Sequence, residues 1–253
     1  LEQENCAQAM NYGERALRIC RRIGDRQGER ITLDNLGYVA LCQADYERAR
    51  TYYEQTLRLC QKINDCHSEA HTLVHLSALF HLFDEHDSAR MHAEAALHQA
   101  QTTEDHQVEG DALTFLGHAL WGLGQHDAAT EAYRQAHALL AEFGEAHLAL
   151  DPLAGLARSA LEAGDTAQAS RDVDKILREL DGLPLDGSEE FLRIHLICWQ
   201  VLYALRDRRA RDVLTAAHRA LRHRAAKIGD PEIRRAFLED IRLHREIVQA
   251  YEG

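Results

Sequence analysis

The sequence is short of proline, with 3 in 253 residues, and its β-branched residues are sparse beside Ala, Leu, Glu, Gln and Arg. Because proline breaks helices and the abundant residues favour them, this composition predicts helix along nearly the whole chain. No apolar run approaches the roughly 18–20 residues that a membrane span requires. The chain shows no signal peptide and opens on Leu1 without an initiator methionine. We therefore expect a piece of a longer cytoplasmic protein, without a membrane segment.

Motifs for common chemistries are also lacking. The sequence contains no GxxxxGK[ST], GxGxxG or GxSxG, which leaves nucleotide binding and hydrolase chemistry without support. The 6 cysteines include no CxxC pair, which fits a reducing compartment. The formal net charge of −12 argues against nucleic acid as the main ligand, because phosphate binding needs clustered Lys and Arg. We expect a protein that is not an enzyme and needs no cofactor.

Internal repetition is the strongest feature of the sequence. Similar residues recur at a spacing of 40, in columns that keep one register over five periods. The columns are Leu36, Leu76, Leu116, Leu156 and Leu196; Ala9, Ala49, Ala89, Ala129 and Ala169; Leu17, Leu57, Leu97 and Leu177; and the acidic Asp25, Asp65, Asp105 and Glu145. Four columns in one register indicate a structural repeat of 40 residues.

Each period reads as two amphipathic helices. In the first half, Leu33, Leu36 and Val39 lie on one helical face, and in the second half Ala49 and Tyr53 do likewise. Short polar turns separate the two halves. A helical hairpin of this size cannot bury its apolar face alone, so neighbouring hairpins must stack and share one continuous core.

Several residues of the hairpins resemble the tetratricopeptide repeat family. They are Leu36-Gly37 with Ala49 and Tyr53, Leu116-Gly117 with Ala129 and Tyr133, and the small residues Ala96, Ala136 and Ala216. The chain departs from that family in its 40-residue period, in the absence of a late proline and at Ser77, Ala157 and Ile197, where glycine is typical. The resemblance implies an all-α fold, a right-handed α-solenoid of about twelve helices.

The repeat register divides one solenoid, residues 1–253, into units. Residues 1–25 form a partial repeat, and full repeats occupy 26–65, 66–105, 106–145, 146–187 and 188–229. Asp151-Pro152 should start a helix later than this register requires, and 181–188 reads as a loop. Asp230-Pro231 marks the start of a single capping helix over 230–253.

The family resemblance also places a binding groove along the first helices of the hairpins. The residues expected there are Asp34, Tyr38, His71, His75, Asp111, Thr114, His118, Trp121 and Arg158. Trp121 either anchors a ligand or packs between adjacent repeats. The column Glu29, Glu69, Glu109 and Glu189 either adds an acidic stripe that favours a basic partner or places charge at helix N-termini.

Three histidines, His67, His71 and His75, recur at intervals of four on one expected helix. Neighbouring pairs at this spacing can chelate a metal ion. Three ligands on one straight helix diverge too far to close a tetrahedron, however, and the sequence offers no evident ligand from a second element. A polar concave surface is the better interpretation, and we expect no metal.

The function that this architecture implies is binding. The 40-residue variety, with its final helix, resembles the C-terminal repeat region of bacterial signal-transduction ATPases of the maltose-activator type. This resemblance implies a sensor for a protein or peptide partner or for a small-molecule inducer, and the acidic stripe would favour a basic partner. The alternative is a passive scaffold or self-association module. An enzyme would need a cluster of perturbed ionisable groups in one cleft.

Overall fold

A computed structural model describes residues 2–144, 147–181 and 188–253 of the protein. These residues form thirteen α-helices: α1 Glu2–Ile23, α2 Arg26–Cys42, α3 Tyr46–Ile63, α4 Cys66–Leu82, α5 His86–Thr103, α6 His106–Gly122, α7 His126–Glu142, α8 Leu150–Glu162, α9 Thr166–Leu180, α10 Glu189–Ala204, α11 Ala210–Ala226, α12 Pro231–Glu239 and α13 Arg242–Glu252. Each helix contacts the next one along the chain, and α4, α6, α8 and α10 also contact one another in turn. The fold is thus an all-α repeat solenoid. None of the described helices is both long enough and apolar enough to cross a membrane.

The acidic column of the sequence caps the first helix of successive hairpins. Side chains of Asp25, Asp65 and Asp105 accept hydrogen bonds of 2.9, 3.1 and 3.1 Å from backbone N–H groups in the first turns of α2, α4 and α6. These bonds satisfy donors that have no partner inside the helix. The fourth member of the column, Glu145, lies outside the described residues.

A second periodic feature ends the helices. Residues with positive φ recur at intervals of 20 along the repeats: Gly24, Ala44, Asn64, Asp84, Glu104, Gly124, Gly144 and Gly164. This left-handed conformation breaks the helical hydrogen-bond ladder and turns the chain back. Glycine adopts the conformation without strain, whereas the other residue types carry a conformational cost there.

The repeat columns form the core. Ala49, Ala89, Ala129 and Ala169 are fully buried, and so is Leu76. Small side chains at the helix crossings allow close packing. At Gly37 a Cβ atom would lie 2.7 Å from the Tyr53 ring, closer than contact permits. The Leu-Gly and Tyr positions of the sequence pattern are therefore two halves of one packing contact.

The two ends of the solenoid meet. Tyr46, at the start of α3, stacks on Phe237 of α12 with ring centroids 6.4 Å apart. A guanidinium nitrogen of Arg224 in α11 donates to the carbonyl oxygen of Leu41, 3.2 Å away and 183 residues earlier in the chain. One buried cluster correspondingly contains apolar residues of α1, such as Met10, together with residues of α12 and α13, such as Phe237 and Ile247. The C-terminal helices close against the first complete hairpin.

Two features of the C-terminal half concern the expected register. A spacing of 40 from the start of α6 at His106 would place the start of α8 at residue 146. Helix α8 instead begins later, at Leu150, as the Asp151-Pro152 pair indicates.

The expectation of one capping helix over 230–253 was wrong. The chain breaks at Asp240 and Ile241 into α12 and α13, and the break lets Phe237 and Ile241 both enter the core.

Candidate functional site

A cavity of about 240 Å³ lies where the C-terminal ends of α4 and α6 meet α8, α10 and α13. We call it the arginine pocket, because three arginines from three helices line it. Its walls are His81, Leu82, Asp84 and His86 near the α4–α5 turn; His118, Trp121 and Gly122 of α6; Arg158 of α8; Arg193, Leu196, Ile197 and Gln200 of α10; and Arg242, Leu243 and Glu246 of α13. The first helices of four hairpins and the last helix, α13, thus share one site.

Arg158 is the central cation of the pocket. Its guanidinium carbon lies 4.0 Å from the ring centroid of Trp121, in a cation–π contact. Its Nη2 donates to the hydroxyl of Tyr133 at 3.2 Å. Trp121 also stacks on His126 of α7, with centroids 4.3 Å apart and ring planes 9° from parallel. Trp121 therefore packs between adjacent hairpins and, by the same contact, serves as the platform that orients Arg158.

Two glycines fix the position of Tyr133. A Cβ atom on Gly117 would lie 2.5 Å from the Tyr133 ring, and one on Gly155 would lie 2.6 Å from it. The ring consequently fits between the backbones of α6 and α8, fully buried. Burial raises the pKa of Tyr133 to about 12, so the hydroxyl keeps its proton and can donate toward α6.

A chain of hydrogen bonds runs from Tyr133 into the core. Tyr133 Oη lies 2.9 Å from His118 Nδ1, and His118 Nε2 lies 3.2 Å from Asp151 Oδ2. Burial lowers the pKa of His118 to about 4, an effect that the Asp151 charge opposes only in part. The neutral ring satisfies both contacts, because Nδ1 accepts from the tyrosine and Nε2–H donates to the carboxylate.

Asp151 is the anion that balances this network. Arg193 donates to it through Nε at 3.1 Å and through Nη2 at 2.5 Å, a two-point pairing that suits a guanidinium and a carboxylate. Burial opposes ionisation of Asp151, but Arg193 and His118 hold its pKa well below its usual range. Because Arg193 neutralises Asp151, little of that negative charge is left for Arg158.

Arg158 lacks a carboxylate partner in the part of the chain that the structure describes. Among the described residues, no acidic side chain lies within 4.0 Å of its guanidinium nitrogens, and its solvent-inaccessible Nε atom lacks a hydrogen-bond partner. Burial lowers the pKa of Arg158. By contrast, Arg242 pairs with Glu246 at 2.6 Å and approaches Asp84 at 3.8 Å. The pocket therefore holds one partly desolvated, uncompensated positive charge.

Two imidazoles of the pocket wall are also incompletely satisfied. The Nδ1 atoms of His81 and His86 are inaccessible to solvent and have no hydrogen-bond partner among the described residues. Burial lowers the pKa of His81 well below its usual value, and the nearby Arg193 charge adds to this effect. These nitrogens, beside a cation, leave the wall ready for a polar, negatively charged occupant.

The structure brings together three of the nine groove residues expected from the sequence, namely His118, Trp121 and Arg158. Thr114 was placed wrongly in the groove, because it is buried and its hydroxyl donates to the Gly110 carbonyl of its own helix. The remaining five lie outside the pocket: Asp34 and Asp111 are half-buried, Tyr38 is exposed, and His71 and His75 lie earlier in α4 than the residues that line the pocket.

Arg193 was not among the residues predicted from the sequence, although a column of the repeat reveals it. The equivalent positions of the preceding periods are Leu33, Leu73, Leu113 and Leu153. An arginine in a column of buried leucines departs from the packing rule of the repeat, and here it neutralises the buried Asp151. Arg242 and Glu246 could not be placed in this way, because α13 lies outside the repeat register.

The glutamates of the expected acidic stripe, Glu29, Glu69, Glu109 and Glu189, do not form a free stripe. Glu29 pairs with Arg21 at 2.8 Å, while Gln61 and Gln101 donate to Glu69 and Glu109 at 3.1 and 3.0 Å. Each bond joins the last turns of one hairpin to the first turn of the next. Glu189 instead pairs with Arg224 at 2.7 Å, where the two ends of the solenoid meet. The carboxylates therefore tie helices together at their N-termini.

Two tetratricopeptide repeat family models match the chain, one over residues 1–62 and 29–102 and the other over residues 110–137. Together the matches cover just over half of the sequence. The chain belongs to the tetratricopeptide repeat family, a class of protein-interaction repeats whose fold is typically non-catalytic. No curated protein sequence matches the chain significantly.

Solved structures with the same fold include three proteins of under 20% identity. A Rap protein complexed with Competence and Sporulation Factor has a TM-score of 0.63 and 17% identity, over 99% of this chain and 72% of that one. NprR in complex with its cognate peptide NprX has a TM-score of 0.67 and 15% identity, over 96% of this chain and 76% of NprR. A Signal Transduction ATPase with Numerous Domains with a tetratricopeptide repeat sensor, from Pyrococcus horikoshii, has a TM-score of 0.64 and 16% identity, over 93% and 36%.

Proposed function

We propose that this chain is a peptide-binding repeat module and that the arginine pocket binds a carboxylate group of the peptide. The observation that carries the proposal is Arg158, a partly desolvated cation without a carboxylate partner among the described residues. A buried charge without a counter-ion is costly, and an anionic ligand would remove that cost. The Rap structure holds Competence and Sporulation Factor and the NprR structure holds its cognate peptide, and both support a ligand of this kind on this fold.

The geometry suits a carboxylate better than a basic group. Guanidinium and carboxylate groups form charge-assisted hydrogen bonds, often two at once. The platform of Trp121 and the hydroxyl of Tyr133 hold Arg158 in one orientation, so little conformational entropy is lost when the ligand binds. We therefore propose that the ligand contributes an acidic group to this site, in place of the basic partner that the glutamate stripe suggested.

The position of α13 provides a means of sensing. Arg242 and Glu246 on α13 face the same cavity as Arg158 on α8, so an occupant touches the repeat helices and the closing helix together. Binding would favour the closed arrangement over any open one. Such a response fits the sensor or interaction region of a larger regulatory protein, as the repeat sensor of the Pyrococcus horikoshii ATPase illustrates.

A thermal-shift screen with a peptide pool tests this function. Each peptide is supplied in two forms, with free carboxylates and with the same carboxylates converted to amides. We expect stabilisation by a subset of the free acids, because a ligand that binds only the folded state raises its apparent stability. The amides of that subset should give little or no shift.

Matched variants localise the effect. Arg158→Gln removes the pocket cation, whereas Arg134→Gln removes an exposed arginine of α7 that pairs with Glu131 on the surface. The shift should disappear in the first variant and persist in the second. Equal shifts from acids and amides, or a shift that survives Arg158→Gln, would contradict the proposed site.

A second candidate function, self-association, rests on the surface of α1. Tyr12, Ile19 and Ile23 are 65, 49 and 66% exposed and lie on one face of that helix, at intervals of seven and four. An exposed apolar stripe of this kind is typical of contact surfaces. Light scattering over a range of concentrations tests this candidate: a dimer that Ile19→Lys dissociates would support a scaffold role, and a monomer throughout would exclude it.

A further inference from the structure

The histidine stripe of α4 separates into two parts in the structure. His67 and His71, one turn apart, have ring centroids 4.9 Å from each other and both face Asp105, the residue that precedes α6. His75, one turn further along, instead stacks on Tyr53 with centroids 4.8 Å apart. The ligand from a second element, which the sequence did not reveal, comes from the next hairpin.

The three side chains converge on one point. Asp105 Oδ2 lies 3.3 Å from His67 Nδ1 and 3.6 Å from His71 Nε2, and one ligand atom from each residue lies within 4.8 Å of the other two. Ligand atoms about 2.1 Å from a tetrahedral zinc ion are about 3.4 Å apart. Both distances from the Asp105 oxygen to the histidine nitrogens are already near that length. The ring of His67 is exposed, so it can rotate to shorten the distance between the two nitrogens.

Asp105 is held in place for this role. Its Oδ1 accepts the capping hydrogen bond from Val108 N at 3.1 Å, which leaves Oδ2 directed at the histidines. In the preceding repeat the equivalent cap, Asp65, offers Oδ2 to Arg30 at 3.2 Å. A cationic side chain thus meets the cap oxygen in one repeat, and two imidazoles meet it in the next.

We propose that His67, His71 and Asp105 form a binding site for Zn²⁺ that links the second and third hairpins. Two imidazole nitrogens and one carboxylate oxygen are the donor set that zinc accepts, whereas Mg²⁺ and Ca²⁺ prefer oxygen ligands alone. Three protein ligands leave one tetrahedral position for water or for a donor from a partner.

The proposed site is open to solvent. His67 and His71 are 63 and 44% exposed, which gives the ion a direct path from solvent. The ion would join the N-terminal ends of α4 and α6, while the arginine pocket lies at the opposite ends of these helices.

Isothermal titration of the full chain, purified without a polyhistidine tag, with zinc chloride tests the site. We expect one tight site per chain in the wild-type protein. His67→Gln, His71→Gln and Asp105→Asn should each weaken it about tenfold or more, since even residues that only orient a zinc ligand cost about ten- to a hundredfold when removed. Asparagine also caps helices well, so Asp105→Asn keeps α6 intact.

Two controls separate this site from other donors. His75→Gln removes a histidine of the same stripe that stacks on Tyr53 and is not one of the three converging ligands. Cys66→Ser removes the exposed thiol next to His67. Both variants should bind zinc as the wild type does. Absence of a tight site in the wild type, or equal loss in the His75 and His71 variants, would overturn the proposal.

Discussion

The hydroxyl of Tyr46, at the start of α3, donates a hydrogen bond to the carboxylate of Glu189, 143 residues further along the chain at the start of α10. Arg224 and His244 bind the same carboxylate, each at 2.7 Å. The Nδ1 atom of His244 also lies 2.6 Å from the Phe237 carbonyl oxygen. One carboxylate thus joins α3, α10, α11 and α13, and this junction closes the solenoid on itself.

Tyr46→Phe should open this junction in part. The substitution keeps the stacked ring but removes a hydrogen bond to a charged group, so the free energy of unfolding should fall by about 1.5–3 kcal/mol. Urea unfolding measures the change, and small-angle scattering should show a larger radius of gyration. Tyr12→Phe is the matched control, because Tyr12 is 65% exposed on α1. Equal stability of the two variants would show that the junction contributes nothing to closure.

Stability should fall in acid because of His118. The pKa of this buried ring is about 4 in the folded protein, against 6.5 for a free histidine, so the unfolded chain takes up the proton first as the pH drops. The contribution is fully present above pH 6.5 and is lost as the pH falls to about 4, by up to about 3 kcal/mol.

The measurement is urea unfolding at several pH values between 7 and 4. His118→Gln keeps one donor toward Asp151 and one acceptor toward Tyr133 but does not titrate. Its stability should therefore decline less over this range than that of the wild type. Parallel curves for the two proteins would mean that His118 is not the titrating group.

The packing of Tyr133 predicts an unusually costly glycine substitution. In Gly117→Ala the new methyl group would lie 2.5 Å from the Tyr133 ring, and overpacking of this kind costs about 1–3 kcal/mol. The ring must move, so its bonds with His118 and Arg158 should weaken as well. Thermal unfolding checks the loss, and in a Tyr133→Ala background the same substitution should cost much less. An equal cost in both backgrounds would exclude the steric cause.

Substitutions at two equivalent left-handed helix ends should change stability in opposite directions. Gly24 has φ +76° with open space around its Cα, whereas Glu104, 80 residues later in the same register, has φ +54°. Gly24→Ala should cost about 1 kcal/mol and Glu104→Gly should be neutral or stabilising, because only glycine is free of the left-handed penalty. Thermal unfolding of both variants measures the two changes in stability. Destabilisation by Glu104→Gly would contradict the conformational cost assigned to Glu104.

The repeat framework could be predicted from the sequence because it is periodic and local. Each leucine, alanine and capping aspartate needs only its own hairpin and the next one, so the 40-residue spacing encodes its role. The junction at Glu189 has no such signal: its partners Tyr46 and His244 lie far away along the chain and meet only when the solenoid closes.

The pocket was predictable in part for the same reason. Trp121 and Arg158 lie on first helices, where the family resemblance places a groove, and the structure brings them together. Thr114 is on the same helix as Trp121 but faces the core, which a rule based on position in the repeat did not distinguish. Arg242 comes from α13, whose break from α12 at Asp240 the sequence did not show.

The most direct test of the account is a double-mutant cycle between Arg158 and a carboxylate of the bound peptide. Dissociation constants are measured for the tightest peptide of the screen and its amide, with wild-type protein and Arg158→Gln. If the two groups pair, either change should weaken binding about tenfold or more, and the second should add little, a coupling of at least about 1.4 kcal/mol. Independent, additive effects would contradict the assignment of the arginine pocket as a carboxylate site.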